Sequence, residues 1–365
     1  MLALVLALSV SVLAALDAPG AAFARGKLTA GNWDAAAQRL VVKEGLMSAP
    51  GPAGFAGAST LTAAQANQAL AALAARQQAF EEAQGTEGRE EAGEGEAEGG
   101  AGAGAGAQPV AAVKASGSIT VTRFDALVVD QLGLAEVAAR VQAVAGEAGL
   151  RPPGYFGSEV VARYLGLRYD HPAGEDSLEL YPWKQITRAE AAHSFAVVLE
   201  GGGWAVEGAR RTLEGFALPH YDADQLRVLR IAVAKIGMPY VWGGTTDNTA
   251  DGLEHGGYDC SGFAWRVYKV SGLPWGAKIH GRTAAEQAGE IPKSARIPLT
   301  SVQGGDLLFF GSAHFNSKAT EASIVHEGIA LSGEWAIHSS GQGVYVLPLD
   351  SGWLAQSFAW ARRVL

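Results

Sequence analysis

The chain's only cysteine, Cys260, stands between two segments of opposite character. Before it runs Pro239-Tyr240-Val241-Trp242-Gly243-Gly244, aromatic and glycine-rich; after it, Phe263, Ala264, Val267, Tyr268 and Val270 recur at helical spacing. This predicts a loop through Asp259 and a helix that opens at Cys260. A thiol at a helix N-terminus faces unpaired N–H groups and the positive end of the macrodipole, which favour thiolate over thiol. A single cysteine is more often a small buried hydrophobe. The nucleophile reading therefore needs partner bases.

His326 and His338 supply them. Ile324 to Leu331 alternates like a strand, Ser332-Gly333-Glu334 reads as a turn, and Trp335 to His338 reads as the next strand. Pairing in such a hairpin can bring both imidazoles to one face, one as base for the thiol and one to orient that base. Glu327 follows His326 directly, and strand alternation points it to the other face.

The order Pro-Tyr-Val-Trp-Gly-Gly, Asp-Cys-Ser-Gly-Phe, Arg282-Thr283-Ala284-Ala285-Glu286-Gln287, Gly305-Asp306-Leu307-Leu308-Phe309-Phe310, His326-x-Gly328-Ile329 and Ile337-His338 resembles the NlpC family of papain-like cell-wall cysteine peptidases. The resemblance covers roughly Asp222 to Leu365. It implies an α+β fold, with the cysteine helix packed on an antiparallel sheet. It also implies Cys260 as nucleophile, His326 as general base, His338 as the orienting residue, and Tyr240, Asp259 and Ser261 around the oxyanion and substrate. No cofactor is implied. The substrate would be peptidoglycan stem peptides, commonly cut between D-glutamate and a diamino acid. Three departures stand out: the long segment Thr245 to Tyr258, carrying Asp247, Asp251, Glu254 and His255; Glu327, where the family generally has an apolar residue; and the long connection Gly311 to Val325.

At 365 residues and 48% hydrophobic composition the chain exceeds one ordinary domain. The formal charge of −9 is concentrated: Glu81 to Gly100 holds eight glutamates and one arginine, leaving about −2 elsewhere. Neither a nucleic-acid binder nor a polybasic membrane protein is suggested. Glu81 to Pro109, rich in Gly, Glu and Ala, cannot bury a core and reads as a flexible linker. Leu2 to Leu16 is apolar or small and precedes Ala22-Phe23-Ala24, so residues 1–24 read as an export signal, too short to span a membrane comfortably. The mature chain is then expected outside the cell, wall-associated and not held in a membrane. One cysteine excludes an intramolecular disulfide.

One motif recurs ahead of the peptidase-like region. Leu61-Thr62-Ala63-Ala64-Gln65, Val121-Thr122-Arg123-Phe124-Asp125 and Ile186-Thr187-Arg188-Ala189-Glu190 each offer a threonine N-cap with a polar or acidic residue three positions on. Three unrelated capped helices would read the same way. The third copy, with Tyr155-Phe156-Gly157 opening a helix through Leu165 and a break at Gly166-Leu167, resembles a surface-layer-homology repeat, a module that holds proteins to wall polymers. The implied organisation is a helical region over 25–80, the linker over 81–109, helical repeats over 110–205 and the peptidase domain over 219–365. Wall polysaccharide is the partner this resemblance implies.

Three other readings compete. A degenerate papain-like scaffold would bind walls without cleaving, but it gives no reason to keep Cys260, His326 and His338 together. A metal site could be sought among His255, His280, His314, His326 and His338, yet none forms a compact ligand motif. Amidase or acyl-transfer chemistry would use the same residues and differ only in its products.

Overall fold

The computed structural model describes residues 29, 31–50, 54–90, 117–169, 171–172, 175–248 and 255–365. The expected export signal and residues 91–109 of the expected linker lie outside the described residues. Helices α1 (Ala35–Lys43), α2 (Ala63–Glu90), α3 (Val121–Gln131), α4 (Ala135–Glu147), α5 (Phe156–Tyr164) and α6 (Arg188–Glu214) make the first half. The second half carries α7 (Ala223–Val233), α8 (Cys260–Val270), α9 (Ala284–Gly289) and α10 (Gly352–Ser357). Its strands are β1 (Thr245–Thr246), β2 (Gly257–Tyr258), β3 (Leu307–Phe310), β4 (His326–Ala330), β5 (Trp335–Ser340), β6 (Gly343–Pro348) and β7 (Phe358–Arg362). Among the described residues no helix is long and apolar enough to cross a membrane.

The three motif copies meet at the centre of the helical half. Leu61 N–H donates to Ile186 O (2.8 Å), Ile186 N–H to Ile119 O (2.9 Å) and Ile119 N–H to Leu61 O (3.4 Å), a closed ring of backbone bonds. Directly after each ring residue a threonine caps a helix: Thr62 accepts from Gln65 N, Thr120 from Arg123 N and Thr187 from Glu190 N. The middle copy is thus Ile119-Thr120, two residues earlier than the Val121-Thr122 register read from the sequence. Both threonines could cap, and the ring decides for Thr120. Asp125 is consequently no cap partner. It is wholly buried, with Arg168 at 2.9 Å.

Two boundaries also move. α2 continues to Glu90 rather than ending before Glu81, since Ala, Gln and Glu are strong helix formers and carry it forward. Gly202, at φ 57°, kinks α6 instead of closing the helical half there. Beyond the kink the helix turns back, burying Ala209 and Leu213, and Arg210 bonds Gly133 O at 3.0 Å. The helix from Phe156 and the break at Gly166 (φ 80°) stand as the sequence indicates.

In the second half the long strands form one antiparallel sheet, ordered β6-β5-β4-β3-β7, and α8 packs on β4 and β5. This is the α+β arrangement read from the sequence. α7 opens it, with Asp222 and Gln225 closing a capping box. One sheet face builds the main core under α8 with Phe263, Val267, Ile329 and Ile337; the other packs Leu308, Phe310, Ala330 and Ala336 against Leu354 of α10. α5 lies against β6, and Arg163 donates to Gly237 O (3.3 Å) while Arg230 donates to Gly149 O (2.7 Å), which ties the two halves together.

Candidate active site

Asp259 organises the start of α8. It is the N-cap, and its Oδ1 accepts from Gly262 N at 2.6 Å while Oδ2 accepts from Gly243 N at 3.0 Å. Gly262 must be glycine: a Cβ there would stand 2.0 Å from Gly244 O, so only a bare backbone lets the glycine-rich loop close over the helix. Tyr258 N–H donates to Pro239 O (3.0 Å) and Val241 N–H to Tyr258 O (3.3 Å), which holds the half-buried Tyr240 on this loop beside the cysteine segment.

Arg282, to which the sequence reading gave no role, grips Asp259 with both guanidinium ends, Nη2 to Oδ2 at 2.8 Å and Nη1 to Oδ1 at 3.0 Å. A bidentate clamp fixes the carboxylate plane as well as its position. The Ser261 hydroxyl joins the same cluster, donating to Asp259 (3.3 Å) and accepting from Arg282 Nη1 (3.1 Å). Gln287 of α9 donates to Ser261 O at 3.2 Å. Arg282-Thr283-Ala284-Ala285-Glu286-Gln287 is therefore one clamp: Thr283 and Glu286 cap α9, and the residues at its two ends hold the turn that carries Cys260. That motif was the available signal.

The thiol differs from expectation. Cys260 is half-buried, and backbone hydrogen bonds from Glu327 and Ser261 favour the thiolate, yet burial, with Asp259 and Glu327 nearby, pushes the thiol up to about 12. The helix N-terminus does not dominate, because burial outweighs it and the neighbouring Asp259 adds to the effect of burial. The resting group is a neutral thiol.

The hairpin brings the histidines together. β4 and β5 pair with Gly328 opposite His338, so His326 and His338 share one face, and His326 Nε2 lies 2.8 Å from His338 Nδ1. A side chain at 328 would put its Cβ 3.1 Å from that of His338, which explains a glycine between the two. Burial lowers His326 to about 4; burial and the neighbouring His326 lower His338 well below its ordinary value. Both rings are neutral, so one N–H is shared between them. When His326 Nε2 is the donor, its Nδ1 lone pair is free to accept a proton. Trp353 and Phe310 wall His326, each with its ring centre 5.8 Å away, and Tyr345 packs on His338 at 4.3 Å.

The other histidines stay apart from this pair. His255 stacks on Tyr181 at 4.2 Å, and His280 and His314 are exposed. Among the described residues no group of three or more His, Cys, Asp or Glu is arranged to hold a metal ion. Asp247 accepts from Tyr258 OH (2.6 Å) and pairs with Lys235, while Asp251 and Glu254 lie outside the described residues.

Residues 237–363 match the NlpC/P60 family. The gamma-D-glutamyl-L-lysine dipeptidyl-peptidase of Bacillus subtilis is 31% identical over 131 residues, 35% of this chain and 37% of that protein. The bifunctional muramidase/DL-endopeptidase CwlT of the same organism is 32% identical over 126 residues, 34% of this chain and 32% of that protein. A crystal structure of an NlpC/P60 family protein from Bacillus cereus, 28% identical, aligns over 41% of this chain and 42% of its own with a TM-score of 0.30. The chain spans about a third of the length of the curated relatives it matches. Its C-terminal part, residues 237–363, is an NlpC/P60 domain.

Proposed function

We propose that this chain is an exported peptidoglycan hydrolase, a cysteine endopeptidase that cuts wall stem peptides with Cys260, His326 and His338. The observation that carries the reading is the 2.8 Å contact between His326 and His338, on the two strands against which the helix opened by Cys260 packs. The thiol of Cys260 gives its proton to His326 as the sulfur attacks an amide carbonyl. The oxyanion forms near the Cys260 backbone N–H and Tyr240. His326, oriented by His338, returns the proton to the leaving amine, and water then releases the acyl group and restores the thiol. Asp259, Arg282 and Ser261 keep the turn in place.

The bond between D-glutamate and the diamino acid is the substrate we favour, supported by the names of two relatives, a gamma-D-glutamyl-L-lysine dipeptidyl-peptidase and a DL-endopeptidase. Product analysis on defined muropeptides tests it. New amino termini on the diamino acid are expected; release of the whole stem peptide from the sugar would replace the reading with an amidase.

For the helical half we propose attachment to a wall polymer through three surface-layer-homology-like repeats. The ring Leu61–Ile186–Ile119 supports a threefold repeat, since it joins equivalent positions of all three copies. The Cys260→Ala chain should sediment with purified walls and lose that property once their secondary polymers are extracted. Equal sedimentation with extracted walls would end this part of the proposal.

A further inference from the structure

Glu327 has no place in the chemistry above, yet it follows His326 directly on β4. Its side chain is fully buried, and neither carboxyl oxygen has a hydrogen-bond partner. Its backbone favours the thiolate of Cys260, and its carboxylate opposes it. Alternation turns the carboxyl away from His326 and into the layer between the sheet and α8. A polar group in that position should be satisfied or uncharged.

The charges around it come from every element packed there. Asp259 caps α8, Arg282 precedes α9, Glu290 follows it, and Arg362 lies on β7; Cys260 and Tyr268 are the titratable groups of α8 within its field. Both cations are already committed. Arg282 holds Asp259, while Arg362 holds Glu290 at 2.6 Å and the carbonyls of Gln287 and Lys278 at 3.2 and 2.8 Å. Two cations face two carboxylates, and Glu327 is a third acid with no cation of its own. Burial raises its pKa well above the ordinary range, in keeping with that count.

We propose that Glu327 is a positioning residue that tunes the nucleophile: carried as an uncharged acid behind Cys260 it permits the thiolate, and once ionised it holds the thiol protonated. Its proton leaves to solvent as the pH rises, and the negative charge left behind opposes a second negative charge on the sulfur. The upper pH limit of the site is then set by Glu327 and not by the thiol. The inference rests on Cys260 being the nucleophile.

The test compares the full chain with its Glu327→Gln and Glu327→Val variants. The rate of Cys260 alkylation by iodoacetamide is followed from about pH 6 to about pH 10, with Cys260→Ala as the blank. At the acid end the three proteins should react alike. Toward the alkaline end both variants should pull ahead, by about tenfold for each unit by which the ionised carboxyl raises the thiol. Muropeptide hydrolysis should fall at alkaline pH in the parent and hold in the Gln variant. A variant-to-parent ratio of alkylation that does not change with pH overturns the proposal, as does loss of the folded circular-dichroism spectrum in both variants, which would make Glu327 structural. Because alkylation reads the thiol without any substrate, a pH-dependent ratio with no peptide cleavage would sink the hydrolase reading and leave the tuning intact.

Discussion

His326 and His338 share a single proton across 2.8 Å, and burial keeps both imidazoles neutral. Which nitrogen carries that proton decides which ring nitrogen is left as a base. Donation from His326 Nε2 leaves its Nδ1 free to accept, and His338 then only has to hold the acceptor in place. His338 Nε2 is buried without a hydrogen-bond partner, and its ring packs on that of Tyr345.

The two histidines should therefore fail differently. His326→Ala removes the base and should lower kcat by about 10²- to 10⁴-fold. His338→Gln or His338→Asn can still accept from His326 and should keep a measurable share of activity, with KM little changed. Steady-state kinetics on a soluble stem peptide checks this. An active His326→Ala beside a dead His338→Asn would reverse the roles.

Gly328 offers a gentler probe of the same contact. In Gly328→Ala the new Cβ would lie 3.1 Å from that of His338, close enough to push the strand-paired histidine by a few tenths of an ångström. Cys260 and its clamp are untouched. The expected result is a clear fall in kcat with a melting temperature close to the parent's, and an unaltered kcat would show that the histidine contact tolerates displacement.

Legibility of this site in the sequence followed the range of the interactions. Cys260 at a helix start, a hairpin carrying His326 and His338, and Glu327 facing the other way depend on local periodicity, and the structure has all of them. Arg282 is separated from Asp259 by the whole of α8, so no local pattern announces the pair; only the tertiary fold brings the guanidinium to the cap. The pKa of the thiol is hidden from the sequence for a related reason. A helix N-terminus is visible in sequence, whereas the burial that outweighs it is not. Likewise Thr120 and Thr122 are equivalent caps locally, and the choice between them is made by Leu61 and Ile186, distant in the chain.

The clamp itself can be tested through geometry rather than charge. Arg282→Lys keeps the cation and loses the two-pronged grip on Asp259. Arg282 is just over a third exposed, so the stability cost should be small, on the order of 1 kcal/mol or less. Activity should fall more than stability, by about tenfold, because the turn that aims Cys260 loosens. Equal activity in Arg282→Lys would show that charge alone suffices.

The helical half should make the chain less stable as the pH rises. Glu179 is raised by burial to about 8 and Asp125, also by burial, to about 8, against ordinary values near 4. A carboxyl whose folded pKa is raised binds more protons folded than unfolded between those two values. Its contribution is therefore fully present below about pH 4 and is lost as the pH climbs through about 8. Glu179 accepts from both the backbone N–H and Nδ1 of His171 at 2.7 Å, and a glutamine can accept in its place. Melting temperature measured from about pH 5 to about pH 9 should fall in the parent chain and fall less steeply in Glu179→Gln. Parallel curves for the two proteins would mean that Glu179 enters the fold already ionised, held by His171 as an imidazolium, and that the buried charges of this half are settled in pairs.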